Sequence, residues 1–305
     1  MGGNTIVLFH GSQIEKGREL EIAIDILSGG YLSCHEAGIL YPPEKKGDLK
    51  VKIVGHASKR FISACGGMTQ VLGHALIETD IGKPYGISIA KSRTNVMLET
   101  DGGIVKVEIE PSFGDRKTKV ITNMKSFLQE IYTDGVNPMS LCGVHAIQVG
   151  KFLVLNADDV KKIFPEADFV KMDENTKNIL VEIQKEFLKA YKGGTLDFAL
   201  YDWHPLGGGD IRAVFPHDIL GGTVEPSCGT GSVAIGVAIV ATGEVERESI
   251  YREGTYEVFL ETGGGYELGG PERTTLLISS SKSVITNVSF SHSLVKITTV
   301  GEIII

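Results

Sequence analysis

The 305-residue chain is short of cysteine: Cys34, Cys65, Cys142 and Cys228 are all it has, and no two of them form a CxxC pair. Four cysteines in a chain of this length do not make a disulfide framework, and His35, His74 and His145 do not fall at metal-ligand spacing, so a metal site is not expected. Positive charge is also in deficit. Lys and Arg number 30 against 38 Asp and Glu, a net charge of −8, which argues against nucleic acid or an anionic membrane as the main partner. Long apolar runs are missing. The longest, roughly Val233 to Ala241, falls far short of the ~20 residues that cross a bilayer. The opening Met1-Gly2-Gly3-Asn4-Thr5 has no basic n-region, so the expectation is a cytoplasmic protein whose thiols stay reduced.

Glycine, by contrast, is plentiful: 38 residues, or about 12% against a usual ~7%, without a collagen-like period. Many tight turns between short strands are the natural reading. The length suits one large domain or two of ordinary size.

Two segments far apart look like copies of each other. Ala64-Cys65-Gly66-Gly67-Met68-Thr69-Gln70-Val71-Leu72-Gly73-His74-Ala75-Leu76 aligns with Ser227-Cys228-Gly229-Thr230-Gly231-Ser232-Val233-Ala234-Ile235-Gly236-Val237-Ala238-Ile239. Both begin Cys-Gly, both place glycine at the ninth position counted from the cysteine, and both place alanine two residues later. Thr69 matches Ser232, Leu72 matches Ile235 and Leu76 matches Ile239. The cysteines lie 163 residues apart, so a whole unit is duplicated.

The chemistry of such a segment derives from where a helix begins. A thiol there sits among unpaired backbone N–H groups and the positive end of the helix dipole, and both favour thiolate. The glycines after it let backbone approach a ligand closely and aim N–H groups at it. Two such starts around one ligand supply a base and an acid for a carbon next to a carboxylate, with dipoles set for the enolate formed between them. Cys65 and Cys228 are therefore the candidate catalytic residues, and the N–H groups of Gly66, Gly67, Gly229, Thr230 and Gly231 the candidate carboxylate cradle. Cys34 and Cys142 have no such context and read as structural. Gly229-Thr230-Gly231-Ser232 satisfies neither GxGxxG nor the Walker pattern, so nucleotide binding is not expected.

Strand signals cover 5–9, 49–54, 61–62, 96–99, 104–109, 145–149, 152–155, 211–215, 256–260, 275–278, 284–290 and 294–299, with a hairpin turn at Asp101-Gly102-Gly103. Helices are predicted over 18–27, 124–132 and 174–191, besides the two that begin at the cysteines. Strand–hairpin–helix order in two similar halves predicts an α+β protein of two pseudo-symmetric lobes, 1–115 with 292–305 and 116–291.

The paired Cys-Gly motifs resemble those of the cofactor-independent amino-acid racemases and epimerases, the superfamily of diaminopimelate epimerase and proline racemase, and the resemblance runs through most of the chain. Gly3-Asn4-Thr5-Ile6-Val7-Leu8 is similar to the opening Gly-Asn-Asp-Phe-Val-Val of diaminopimelate epimerase, whose Asn contacts substrate. Val54 to Cys65 is similar to the approach to its first cysteine, with a substrate-contacting Asn falling on His56. Glu225-Pro226-Ser227-Cys228-Gly229-Thr230-Gly231 is similar to the second motif of both subfamilies. Val300-Gly301-Glu302 resembles a last strand returning to the first lobe.

The resemblance implies two lobes, each a β-barrel-like sheet wrapped around a central helix that starts at the motif cysteine. It implies a two-thiol racemase or epimerase of a small amino or hydroxy-amino acid that uses neither pyridoxal phosphate nor metal, with Asn4 and His56 as further substrate contacts. The expected partner is a small carboxylate-bearing substrate, and a homodimer is left open. Two alternatives stand beside it: a double-bond isomerase or dehydratase of a carboxylic acid on the same fold, and a non-catalytic small-molecule binding protein. The departures bear on substrate. Diaminopimelate epimerases carry Glu-Arg before the second cysteine, where this chain has Ile219-Leu220. Their Gly-Asn-Pro-His becomes Gly150-Lys151-Phe152, and their first Cys-Gly-Asn-Gly becomes Cys65-Gly66-Gly67-Met68.

Overall fold

The computed structural model describes residues 5–29, 34–56, 58–113, 117–170, 173–190, 197–216, 224–225, 227–247, 251–252, 255–262, 272–281 and 284–302. The chain is an α+β protein that divides into two compact units, 3–126 with 291–305 and 127–290.

The first unit runs β1 (Ile6–His10), α1 (Glu19–Ser28), β2 (Glu36–Tyr41), β3 (Leu49–Gly55), β4 (Arg60–Ile62), α2 (Gly66–Glu78), β5 (Thr94–Thr100), β6 (Gly103–Glu110) and β7 (Lys119–Asn123). β1 pairs parallel with β2, β2 antiparallel with β3, and β3 both antiparallel with β4 and parallel with β5; β5, β6 and β7 then form an antiparallel meander. Strand periodicity decides what covers each face. Ala37 and Ile39 of β2 pack with Val54 of β3 on Ala23 and Leu27 of α1. The alternate residues Leu40, Leu49, Val51 and Ile53 pack with Met68, Leu72 and Leu76 of α2. Every residue of α2 from Gly66 to Leu76 is buried, including the polar Thr69, Gln70 and His74, so this helix is covered all round and central to its unit.

After α3 (Lys125–Asp134), the second unit contains β8 (Val136–Leu141), β9 (Val144–Val149), β10 (Phe152–Asn156), α4 (Ala157–Ile163), α5 (Glu174–Ala190), β11 (Asp197–Asp202) and β12 (Ile211–Pro216). It continues with β13 (Val224–Glu225), α6 (Gly229–Ala241), α7 (Glu244–Arg247), β14 (Tyr251–Arg252), β15 (Thr255–Thr262), β16 (Glu272–Ser281) and β17 (Val284–His292). The pairing repeats the first unit: β10 parallel with β11, β11 antiparallel with β12, β12 parallel with β15, β15 antiparallel with β16. Leu153, Leu155, Phe198 and Leu200 pack on Val160 of α4 and on Leu180, Ile183 and Phe187 of α5. α6 lies against β9, β10, β11 and β16 and is buried from Gly229 to Ile239.

The glycine shared by the two copies has a packing reason. A Cβ on Gly73 would sit 2.5 Å from Val120 Cγ1, and one on Gly236 would sit 2.9 Å from both Leu276 Cδ1 and Ile278 Cδ1. Each central helix therefore presses its backbone on its sheet at the same turn.

The duplication reaches further than the cysteine segments. Lys50 pairs with Glu99 where β3 meets β5, and Arg212 pairs with Glu261 where β12 meets β15. Glu99 accepts hydrogen bonds from the backbone N–H of Glu44, Lys45 and Gly47 at 2.7 to 2.8 Å. Glu261 accepts from Leu206 at 2.5 Å, from Gly209 at 2.9 Å, and from Gly207. Asp48 and Asp210 complete each clamp, accepting from the N–H of Met97 and Phe259 at 2.7 and 2.9 Å. Burial pushes the Glu99 carboxyl up, but the amides of Gly47, Glu44 and Lys45 outweigh it and hold the group below its ordinary range.

Two expectations change. The alternating run 294–299 is not a strand, and none is described from 293 to 302; β17 ends at His292. Val295 and Ile297 are half-buried there, so the alternation reports a partly covered face without a backbone ladder. Residues 291–305 nonetheless belong to the first unit. The strands β2 and β11 had no period-2 signal because both faces of each are covered, which erases the alternation.

The return of the chain end is fastened by a buried polar cluster on α2. Gln70 accepts from the backbone N–H of His292 at 3.0 Å and donates to Thr122 Oγ1 at 2.8 Å, and Leu294 N–H donates to His292 Nδ1 at 3.3 Å. Burial pushes His292 down to about 4 from its ordinary 6.5, with His74 adding to the fall. The unfolded chain thus takes a proton near pH 6.5 that the folded chain refuses until about pH 4. Stability from this group is intact above that window and falls as pH drops through it, by about 3 kcal/mol in all. His292→Asn should flatten the urea midpoint between pH 7 and 4.5; a midpoint as pH-sensitive as that of the parent would contradict this.

Candidate active site

Each motif cysteine is the residue immediately before a buried central helix. Cys65 precedes α2 with extended backbone (φ −146°, ψ 119°), and its sulfur accepts the N–H of Met68 at 3.3 Å. Cys228 precedes α6 with the same geometry (φ −123°, ψ 113°), and its sulfur accepts the N–H of Gly231 at 3.3 Å. Sulfur is a weak acceptor, and Ser, Thr, Asp or Asn would cap either helix better. Cysteine at both positions is therefore not explained by helix stability.

The surroundings of the two thiols differ in detail. Cys65 is half-buried, and its sulfur donates to Glu36 Oε2 of β2 at 2.8 Å. Cys228 is buried, with Thr230 Oγ1 3.4 Å from its sulfur. Ser232, the counterpart of Thr69, donates to the Cys228 carbonyl at 2.7 Å, and Thr69 donates to the Gly66 carbonyl at the same distance. Gly231 has to be glycine for packing, since a Cβ there would lie 2.7 Å from the ring of Phe215.

Strand register extends the correspondence to the acid beside Cys65. Tyr41 pairs with Lys50, and Asp202 pairs with Arg212, so Glu36 in β2 occupies the place that Asp197 occupies in β11. Asp197 lies 3.2 Å from Lys151 Nζ.

Of the residues expected from sequence, Cys65, Gly66 and Gly67 come together at the start of α2, and Cys228, Gly229, Thr230 and Gly231 at the start of α6. The Gly231 N–H is taken by the Cys228 sulfur. His56 lies exposed in the turn after β3, its backbone N–H donating to the His35 carbonyl at 2.9 Å. Asn4, Ile219 and Leu220 lie outside the described residues. Glu36 was missed because β2 was missed; a search for the Gly-Asp-Leu/Ile and Leu-Glu-Thr repeats would have aligned the two halves around it.

Cys34 is buried and Cys142 half-buried. A cavity of about 290 Å³ in the first unit is lined by Lys16, Glu19, Tyr41 and Lys52 among others, and by none of the expected site residues. Asp158, Asp202 and His204 bring three ligand-type atoms within 4.8 Å of one another, but Lys161 Nζ stands 3.7 Å from Asp202 and already supplies a cation. Among the described residues, no helix is long and apolar enough to cross a membrane.

No family model matches the sequence, and no curated protein matches it either. Solved structures do match in shape. A PhzF-family phenazine biosynthesis protein of Bacillus anthracis superposes with a TM-score of 0.57 at 13% identity, over 94% of this chain and 89% of that one. A hydroxyproline epimerase of Agrobacterium vitis, with trans-4-hydroxy-L-proline bound, gives 0.57 at 17% identity, over 91% and 76%. A probable proline racemase of Agrobacterium radiobacter K84 gives 0.54 at 15% identity, over 91% and 78%. The chain has the fold shared by these proteins.

Proposed function

We propose that the protein is a cofactor-independent isomerase, a racemase or epimerase of a small amino or hydroxy-amino acid, with Cys65 and Cys228 as its proton-transferring pair. The observation that carries this reading is the placement of a cysteine at the start of both buried central helices, on a fold shared with an epimerase and a racemase. In this reading the two units are pseudo-symmetric lobes, each wrapped around its helix, and the two thiols serve one carbon. One sulfur, as thiolate, takes the α-proton. The electron pair of the broken C–H bond moves into the carboxylate as an enolate, held by backbone N–H groups at the helix starts. The other sulfur, as thiol, returns a proton to the opposite face, which inverts the centre. Asn4 and His56 complete the substrate contacts, and no cofactor takes part.

The test is proton NMR of the purified protein in D₂O with pooled L-amino acids, proline and 4-hydroxyproline included. Loss of an α-proton signal, blocked by prior thiol alkylation, is the expected result. Ligand binding that survives alkylation, without any exchange, would instead favour the binding protein. The carboxylate beside Cys65 favours one second reading, a double-bond isomerase or dehydratase of a carboxylic acid, because it offers a further proton carrier at the same carbon.

Ile219-Leu220 stands where diaminopimelate epimerases carry charge, which implies neutral or weakly polar contacts from that segment. Diaminopimelate should therefore not be turned over at the ~1–1000 per second of a dedicated enzyme. A coupled assay reaching that range would contradict it.

A further inference from the structure

We propose that Glu36 is a positioning residue that keeps Cys65 protonated at rest, so that Cys65 enters the cycle as the proton donor; this rests on the two-thiol reading above. Two contacts on one sulfur pull in opposite directions. The Met68 N–H, 3.3 Å away at the helix start, favours negative charge on sulfur. The Glu36 carboxylate, 2.8 Å away, opposes a second negative charge beside it. A carboxyl group is the stronger acid by about four pH units, so the proton shared between them stays on sulfur. The same molecule contains a parallel case. Burial and the Glu186 carboxylate push the Cys142 thiol up to about 11.

Proton balance determines how the cycle closes. When Cys65 gives its proton to the enolate, sulfur becomes a thiolate beside a carboxylate, while the other thiol holds the proton taken from substrate. That form is disfavoured, and the enzyme returns to rest by one of two routes. Cys65 takes a proton from solvent and the other thiol releases to solvent the proton it took from substrate, or Cys65 takes the α-proton of the opposite enantiomer and the other thiol delivers its own to the enolate so formed. Among the described residues, the charged or titratable groups near Cys65 and Glu36 in the chain or through backbone pairing include Cys34, His35, His56, Arg60 and Asp101. Further along the same elements stand Tyr41 of β2, Lys50 and Lys52 of β3, and His74 and Glu78 of α2. Register places Gly55 between Glu36 and Arg60, the His35 ring is held by Thr5, and the Asp101 hairpin bonds to Ser63 through Gly102. None of these changes in a Glu36 variant.

The experiment measures iodoacetamide labelling of Cys65 against pH, by mass spectrometry of the folded chain. In the parent, half-maximal labelling should come above the ordinary thiol value of ~8.5. Glu36→Gln should label about tenfold faster at neutral pH, with the midpoint shifted down, and Glu36→Asp should stay close to the parent. Glutamine can still accept the S–H bond, so a purely structural role predicts no change, and an unchanged rate overturns the proposal. If Glu36→Gln does not fold, the parent profile alone decides, because a midpoint below the ordinary value also overturns it. Labelling needs no turnover. The expected profile in a protein that never exchanges an α-proton supports the protonation assignment and sinks the isomerase reading; exchange with an unchanged profile does the reverse.

Discussion

Cys65→Ala and Cys228→Ala should each abolish interconversion of enantiomers, by about 10²–10⁴-fold, the size of a lost acid or base. Each variant keeps one thiol, placed for the α-proton of one enantiomer only. A substrate analogue with a leaving group on the β-carbon needs only deprotonation, because the electron pair expels the leaving group and no reprotonation is required. Cys65→Ala, which keeps Cys228, should therefore eliminate from one enantiomer, and Cys228→Ala from its mirror image, the latter gaining rate only as rising pH removes the proton that Glu36 holds on Cys65. The double variant should do neither. Release of the leaving group, monitored with resolved enantiomers, reads this directly. A single variant that racemises near the parent rate would remove its cysteine from the chemistry and favour the binding or single-base alternatives.

The second large effect is on stability. Glu261→Ala leaves the N–H groups of Leu206, Gly207 and Gly209 without their carboxylate and should cost about 3 kcal/mol. The figure is smaller than three full charged hydrogen bonds because Leu206 and Gly207 are exposed and their amides regain water. Hydrogen exchange localises the loss: protection should fall at those three amides first, while β10 and β11 keep theirs. Glu99→Ala should do the same to Glu44, Lys45 and Gly47. If the 206–209 amides exchange as slowly in Glu261→Ala as in the parent, the clamp is not what orders that turn.

Those clamps also mark what could be read from sequence. Cys65 and Cys228 were legible because a repeated Cys-Gly before an apolar run is a local pattern, and both were expected at helix starts, where they lie. Glu36 was not legible. Its strand is covered on both faces, Gly38 interrupts it, and its contact with Cys65 spans 29 residues and is reached through the pairings of β2 with β3 and of β3 with β4, which periodicity does not encode. β8 escaped for another reason. It carries Pro138, which a strand tolerates at a sheet edge but which argues against a strand in sequence. The closing segment 294–299 erred the other way, its alternation reporting partial burial without pairing.

The most direct measurement is where deuterium first appears when one enantiomer of the substrate is turned over in D₂O. If one thiol removes the proton and a different thiol supplies its replacement, early product carries deuterium at the α-carbon while recovered substrate remains protonated. Deuterium entering recovered substrate as fast as product means that a single group serves both faces, and the two-thiol account is then wrong.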